Sequence, residues 1–132
     1  MRKNKSIIIF VTVSVVVIGV MYLSWYLYDV NSYKKSVEDI TVSDINLSNI
    51  SNGVYVGSDD VGYIAAKVEV VVNDGKIEKI TLLEHKNERG TPAEVITDNM
   101  IKEQKIDVDT ISGATNSSKV IKKAVENALL QK

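Results

Sequence analysis

Hydrophobic positions change their spacing along this chain, and each spacing predicts a different element. Ile7 to Tyr28 is an uncharged, mostly apolar run dominated by Ile and Val. At about 1.5 Å per helical residue it is long enough to cross a hydrocarbon core of about 30 Å. β-Branched residues are weak helix formers in water. In lipid, every backbone group must find an internal partner, so helix becomes nearly compulsory. Residues 29–52 lose that character. Ser43, Asp44, Asn46, Ser48, Asn49, Ser51 and Asn52 break any period. Tyr33, Val37 and Ile40 suffice for a turn or two of weak amphipathic helix, and Ile45, Leu47 and Ile50 are apolar points able to dock. The stretch reads as a polar linker, with a domain following at 53–132.

Inside that domain the period drops to two. Gly53-Val54-Tyr55-Val56-Gly57 is a short strand bounded by glycines, and Asp59-Asp60 is expected to turn. Paired acids can suggest Ca²⁺, but no further ligand spacing follows. Ala66, Val68, Val70 and Val72 share one face of a second strand, with Lys67 and Glu69 on the other. Asn73-Asp74-Gly75-Lys76 is a hairpin signal, Asp74-Gly75 suiting a type I′ turn. The return strand, 77–84, puts Ile80 and Leu82 on one face and Ile77 and Leu83 on the other, which implies a bulge or two-sided burial. Thr91-Pro92-Ala93-Glu94 then predicts a helix start, with Thr91 as N-cap, Pro92 at N1 and Glu94 closing a capping box. Val95, Ile96, Met100 and Ile101 form its buried face up to about residue 104. Val120, Ile121, Ala124, Val125, Ala128 and Leu129 trace the apolar face of a last helix. The fold expected is α+β: a small, mainly antiparallel sheet with two packed helices, preceded by one transmembrane helix.

Charge adds a direction. Arg2, Lys3 and Lys5 precede the apolar run, and 13 Lys+Arg stand against 17 Asp+Glu beyond it, so the part after residue 28 carries −4. The basic tail, residues 1–6, places the N-terminus in the cytoplasm and the domain on the other side of a cell membrane. Tyr22, Trp25, Tyr26 and Tyr28 would form the interfacial aromatic belt. A cleaved leader is the alternative, but the run is long and bulky aromatics stand where small residues would be needed. A mildly acidic domain gives no electrostatic case for nucleic acid. The chain lacks cysteine, which excludes disulfides, thiolate metal sites and a thiol nucleophile.

The chemistry concentrates at the start of the last helix: Asp109-Thr110-Ile111-Ser112-Gly113-Ala114-Thr115-Asn116-Ser117-Ser118. A small, glycine-bearing turn opens there onto a helix N-terminus, where backbone N–H groups and the positive end of the dipole favour phosphate. The same residue types also make ordinary helix caps. Here Asp109-x-x-Ser112-Gly113-Ala114-Thr115 resembles the flavinylation motif of the FMN-binding domains found in the RnfG and NqrC subunits of bacterial redox pumps. The resemblance extends over residues 53–130, from the Gly-x-Tyr-x-Gly strand onward. It implies FMN joined through a phosphoester to Thr115 by a flavin transferase that uses FAD as donor. Asp109, Ser112, Gly113 and Ala114 match the recognition motif around it; Asn116 and Ser117 are further candidate FMN contacts, although the Asn-Ser-Ser that follows Thr115 departs from the larger pump subunits. It also implies that the loop after the hairpin, with His85, Glu88 or Arg89, lies on the flavin side. His85 is the sole histidine, with no metal partners at a recognisable spacing.

The function this implies is a membrane-anchored, extracytoplasmic electron carrier serving a membrane redox partner. No nucleophile–base–orienter set argues for a stand-alone enzyme. The chain lacks much of what the larger pump subunits carry, so a different redox partner is in view. Two other classes stay open: a domain that binds FMN without a bond, as a reductase or scavenger, and a flavin-free membrane-anchored interaction module.

Overall fold

The computed structural model of the protein describes residues 2–87 and 89–131. In chain order it contains α1 (Arg2–Glu38), a 3-10 turn (Leu47–Asn49), β1 (Gly53–Asp60), β2 (Ala65–Asn73), β3 (Lys76–Lys86), a second 3-10 turn (Thr91–Val95), α2 (Ile96–Glu103) and α3 (Thr115–Leu130). The chain divides into two compact units, Met1–Lys35 and Ser36–Lys132.

The first unit is the bulk of α1, a helix long and apolar enough to cross a membrane. Two of its hydroxyls are satisfied by the helix's own backbone. Thr12 Oγ1 donates to Ile8 O at 2.7 Å and Ser14 Oγ to Phe10 O at 2.9 Å. Tyr22 and Trp25, on adjacent turns of one face, hold their ring centres 6.3 Å apart.

The second unit begins well before Gly53, where the linker was expected to end. α1 continues to Glu38 because residues 29–38 contain no Pro or Gly to stop it. Val37 is buried, and Lys119 Nζ donates to its carbonyl at 3.3 Å, supplying a partner at the helix end. Lys123 Nζ reaches Thr41 O, and Ser43 N donates to Glu126 Oε1 at 3.0 Å. Asp44 Oδ1 accepts from Asp107 N, and Leu47 is buried. Backbone groups of this stretch therefore bond to side chains of α3, and the Asp44 side chain bonds to the segment before it. A periodicity reading cannot register such contacts.

β1, β2 and β3 form one antiparallel sheet in that order. Two register shifts between β2 and β3 decide the ambiguity in the return strand. Glu78 and Leu83 are the extra residues, so Ile77, Ile80, Leu82 and His85 all share the face of Val72, Val70, Val68 and Ala66. That face carries the core, with Val68 and Val70 fully buried under the helices. Asp59 and Asp60 end β1 instead of turning. The turn is residues 61–64, held by Asp60 Oδ1 accepting from Gly62 N at 2.7 Å. The capping box at Thr91 does not form. Gly90 is the cap of a 3-10 turn, no side chain caps it, and α2 starts only at Ile96. Glu94 is engaged elsewhere, as the site shows.

α3 lies over β1 and β2. A Cβ on Gly57 would come within 2.2 Å of Ala128 N and 2.4 Å of Ala124 O. Strand and helix backbones thus meet with only alanines and a glycine between them.

Candidate functional site

The segment between α2 and α3 sets up the site. Gln104 ends α2 in the left-handed conformation, φ 53°. Its side chain accepts from Ile77 N and donates to Ile77 O, both at 2.9 Å, binding α2 to β3. Ile106 and Val108 are buried, which anchors the chain on its way to α3. Lys122, whose side chain is only 8% exposed, clamps the same stretch through Asp107 Oδ1 at 2.5 Å and Val108 O at 2.7 Å.

The motif then divides by exposure. Asp109, Ser112, Gly113, Thr115 and Asn116 are exposed, whereas Ala114, Ser117 and Ser118 are buried. Gly113 has φ +79° with open space where a Cβ would stand, so the turn needs glycine for its backbone and not for crowding. Ala114 N donates to Ile111 O at 3.0 Å, closing the turn. Ser118 braces it from inside. Its hydroxyl accepts from Ile111 N at 3.0 Å and donates to Ala114 O at 2.9 Å.

Thr115 is the first residue of α3. The cap position is Ala114, which has no side-chain oxygen, and no side chain caps the helix. The first turn carries no acidic residue. A 16-residue helix therefore opens with its positive end uncompensated by local charge. The arrangement differs from an ordinary cap, in which Ser, Thr, Asp or Asn would accept from the first turn. It offers an exposed hydroxyl, a glycine turn and a helix N-terminus together. That set suits a phosphate monoester.

The loop after the hairpin joins the motif through Gly90. A Cβ there would lie 1.9 Å from Ser117 Oγ and 2.7 Å from Ser117 Cβ, so the loop packs directly on the first turn of α3. Gly90 N donates to Asn87 Oδ1 at 2.8 Å, and Asn87 Nδ2 reaches His85 O at 3.3 Å. His85 is connected to the motif through this chain of contacts. Its imidazole is 3% exposed, and Nδ1 lies 3.0 Å from Glu94 Oε1. Asn87 Nδ2 lies 3.2 Å from the same nitrogen, so Nδ1 is shared between the carboxylate and the amide. Nε2 is buried with no hydrogen-bond partner among the described residues. The imidazole is thus buried, whereas Thr115 is exposed. Arg89 is exposed, and Glu88 lies outside the described residues. The His85–Glu94 pair was not legible in advance, because Glu94 read as a capping residue.

Register places Asp59 and His85 on either side of Ala66 on the inner face. Asp59 Oδ2 is also buried, with no hydrogen-bond partner among the described residues. Burial raises the Asp59 carboxyl above its ordinary 3.8. The Lys123 charge opposes that rise and Asp60 adds to it. No group of three or more metal-ligating side chains occurs among the described residues.

Residues 62–130, just over half of the chain, match the family described as FMN-binding domain. No curated protein and no solved structure matches the chain.

Proposed function

The chain belongs to the FMN-binding domain family, with FMN as its cofactor, and from that premise we propose that it carries FMN covalently on Thr115 and passes electrons at a membrane. The observation that supports this reading is the exposed Thr115 at the start of a helix whose cap residue, Ala114, offers no side-chain acceptor. In the proposed loading step the Thr115 hydroxyl oxygen bonds to the FMN-side phosphorus of FAD. The phosphoanhydride breaks, AMP leaves and the hydroxyl proton is released. A flavin transferase is the partner that performs it.

The chain's own residues have limited, definable tasks. Gly113 gives the turn its left-handed step, and Ser118 fixes Ile111 and Ala114 so that Thr115 emerges at the surface. The helix N-terminus stabilises the phosphodiester charge. Asp109, Ser112 and Asn116 stand exposed around it, where a transferase can read them. Gly90 seats the 85–90 loop against Ser117, so His85 acts on the site through that loop. The bound flavin supplies the redox chemistry, and the protein holds and orients it. α1 anchors the domain in the cell membrane, N-terminus in the cytoplasm and domain outside, beside a membrane redox partner. A tether makes sense there, since free FMN would be diluted away.

Intact mass and in-gel ultraviolet fluorescence of the full chain, produced with a flavin transferase, test the reading. The expected result is a fluorescent denatured band, heavier by FMN less one water, with the label on Thr115. Thr115→Ala should abolish it. An unmodified mass with FMN uptake by the native protein would replace the tether by non-covalent binding. An unmodified mass without uptake would leave an anchored interaction module.

A further inference from the structure

The two edges of the sheet are treated in opposite ways. The β3 edge is closed: Gln104 occupies Ile77 N and O as a neighbouring strand would, two bulges bend the strand, and Lys76, Lys79 and Lys86 line it. These are the devices by which proteins prevent edge-to-edge pairing. β1 has none of them over its first half. Gly53–Gly57 contains no Lys, no Pro and no bulge, and Val54 and Val56 are 61% and 52% exposed.

The direction of its backbone groups follows from the turn. Val61 N donates to Ile64 O at 3.0 Å, which marks that pair as hydrogen-bonded. Pairs alternate in an antiparallel ladder, so Asp59, Gly57 and Tyr55 bond to β2, and the N–H and C=O groups of Val54, Val56 and Ser58 point away from it. Ser58 O has its own partner, Asn127 Nδ2 of α3, at 2.9 Å. Those of Val54 and Val56 have none outside the sheet among the described residues. The open segment is therefore Gly53–Gly57.

That segment reads the same in both directions: Gly-Val-Tyr-Val-Gly. A twofold interface requires a self-complementary surface, and an antiparallel copy centred on Tyr55 supplies one. Val54 would face the second copy's Val56, Gly53 its Gly57, Ser58 its Asn52 and Asp60 its Ile50. No like charges meet, and two polar residues pair. We propose that β1 is a homodimerisation edge, at which a second copy of this chain pairs antiparallel about Tyr55 and joins two three-stranded sheets into one of six.

The inference is independent of the flavin reading, and its test does not need FMN. Because the chain has no cysteine, single cysteines report register cleanly. Full-length Val54→Cys and Val56→Cys chains, with different tags, are co-produced in membranes and oxidised. Cα atoms of directly paired residues fall within disulfide reach. The expected result is strong cross-linking between the two variants and little between copies of either one. Adding Val56→Lys to the Val54→Cys chain, an exposed change that leaves the core untouched, should reduce that cross-link at least several-fold. Absence of the mixed cross-link, equal yields in all combinations, or linkage to a different protein would each overturn the proposal.

Discussion

Helix α3 meets different surroundings at its two ends. Towards its C-terminus it is pressed onto β1, where Ala124 and Ala128 leave room only for the bare backbone of Gly57. At its N-terminus it opens to solvent, with Thr115 exposed and open space where a Cβ on Gly113 would stand. In the first region residue types are fixed by volume. In the second they are fixed by backbone conformation and by the chemistry of the exposed groups. Substitutions at the two ends should therefore fail in different measurements: stability at the buried end, flavin loading at the open one.

The sharpest break comes at Gly57. A methyl group there would overlap the main chain of α3, which cannot rotate away as a side chain would. Gly57→Ala should cost more than about 3 kcal/mol, at the upper end of overpacking effects, read from urea unfolding of the full chain in detergent. A loss below about 1 kcal/mol would mean that strand and helix separate easily.

Gly90 lies between the two regimes. It is buried like Gly57, yet it contacts the first turn of α3, and the overlap is with the Ser117 side chain. Gly90→Ala should cost about 1–3 kcal/mol and also lower the flavin-loaded fraction. Ser117→Gly should recover part of both in the double variant, giving a coupling above about 0.5 kcal/mol. Strictly additive losses would show that Gly90 does not act through Ser117.

Two hydroxyls three residues apart sharpen the contrast. Ser118→Ala removes the partner of Ile111 N and should cost about 1–2 kcal/mol. Thr115→Ala touches no packed group and should stay within about ±0.5 kcal/mol while all covalent flavin is lost. A Thr115→Ala protein as destabilised as Ser118→Ala would make Thr115 a cap and not an attachment point.

This contrast also explains what could be read from the chain alone. The buried regions announced themselves through spacing: Val68, Val70 and Val72 for the strand, Val120 to Leu129 for the last helix. Asp109 to Thr115 stood out through a local residue pattern. Contacts between distant segments left no such mark. Glu94 looked like a capping residue and instead binds His85. Polar residues from Ser43 to Asp44 looked like linker and instead grip α3 and the segment before it. The bulge at Glu78 puts Ile77 on the inner face, which settles the choice between a bulge and two-sided burial that the spacing had left open. In each case a hydrogen bond or register shift between remote residues decided what a local rule could not.

Asp59 offers the finest test, because it sits beneath the middle of α3, between the packed end and the open one. Burial raises its carboxyl above 3.8, more than the Lys123 charge lowers it. Between the unfolded and folded values the folded protein holds more protons than the unfolded chain. This group's contribution to stability is fully present below the unfolded value and is lost as pH rises through the folded one. At neutral pH the ionised group is therefore a small net cost. Asp59→Asn keeps the shape and removes the charge. It should match the wild type in acid and become slightly more stable as pH rises to neutral, in parallel urea series across that range. A variant less stable than wild type at neutral pH would mean that attraction to Lys123 outweighs burial.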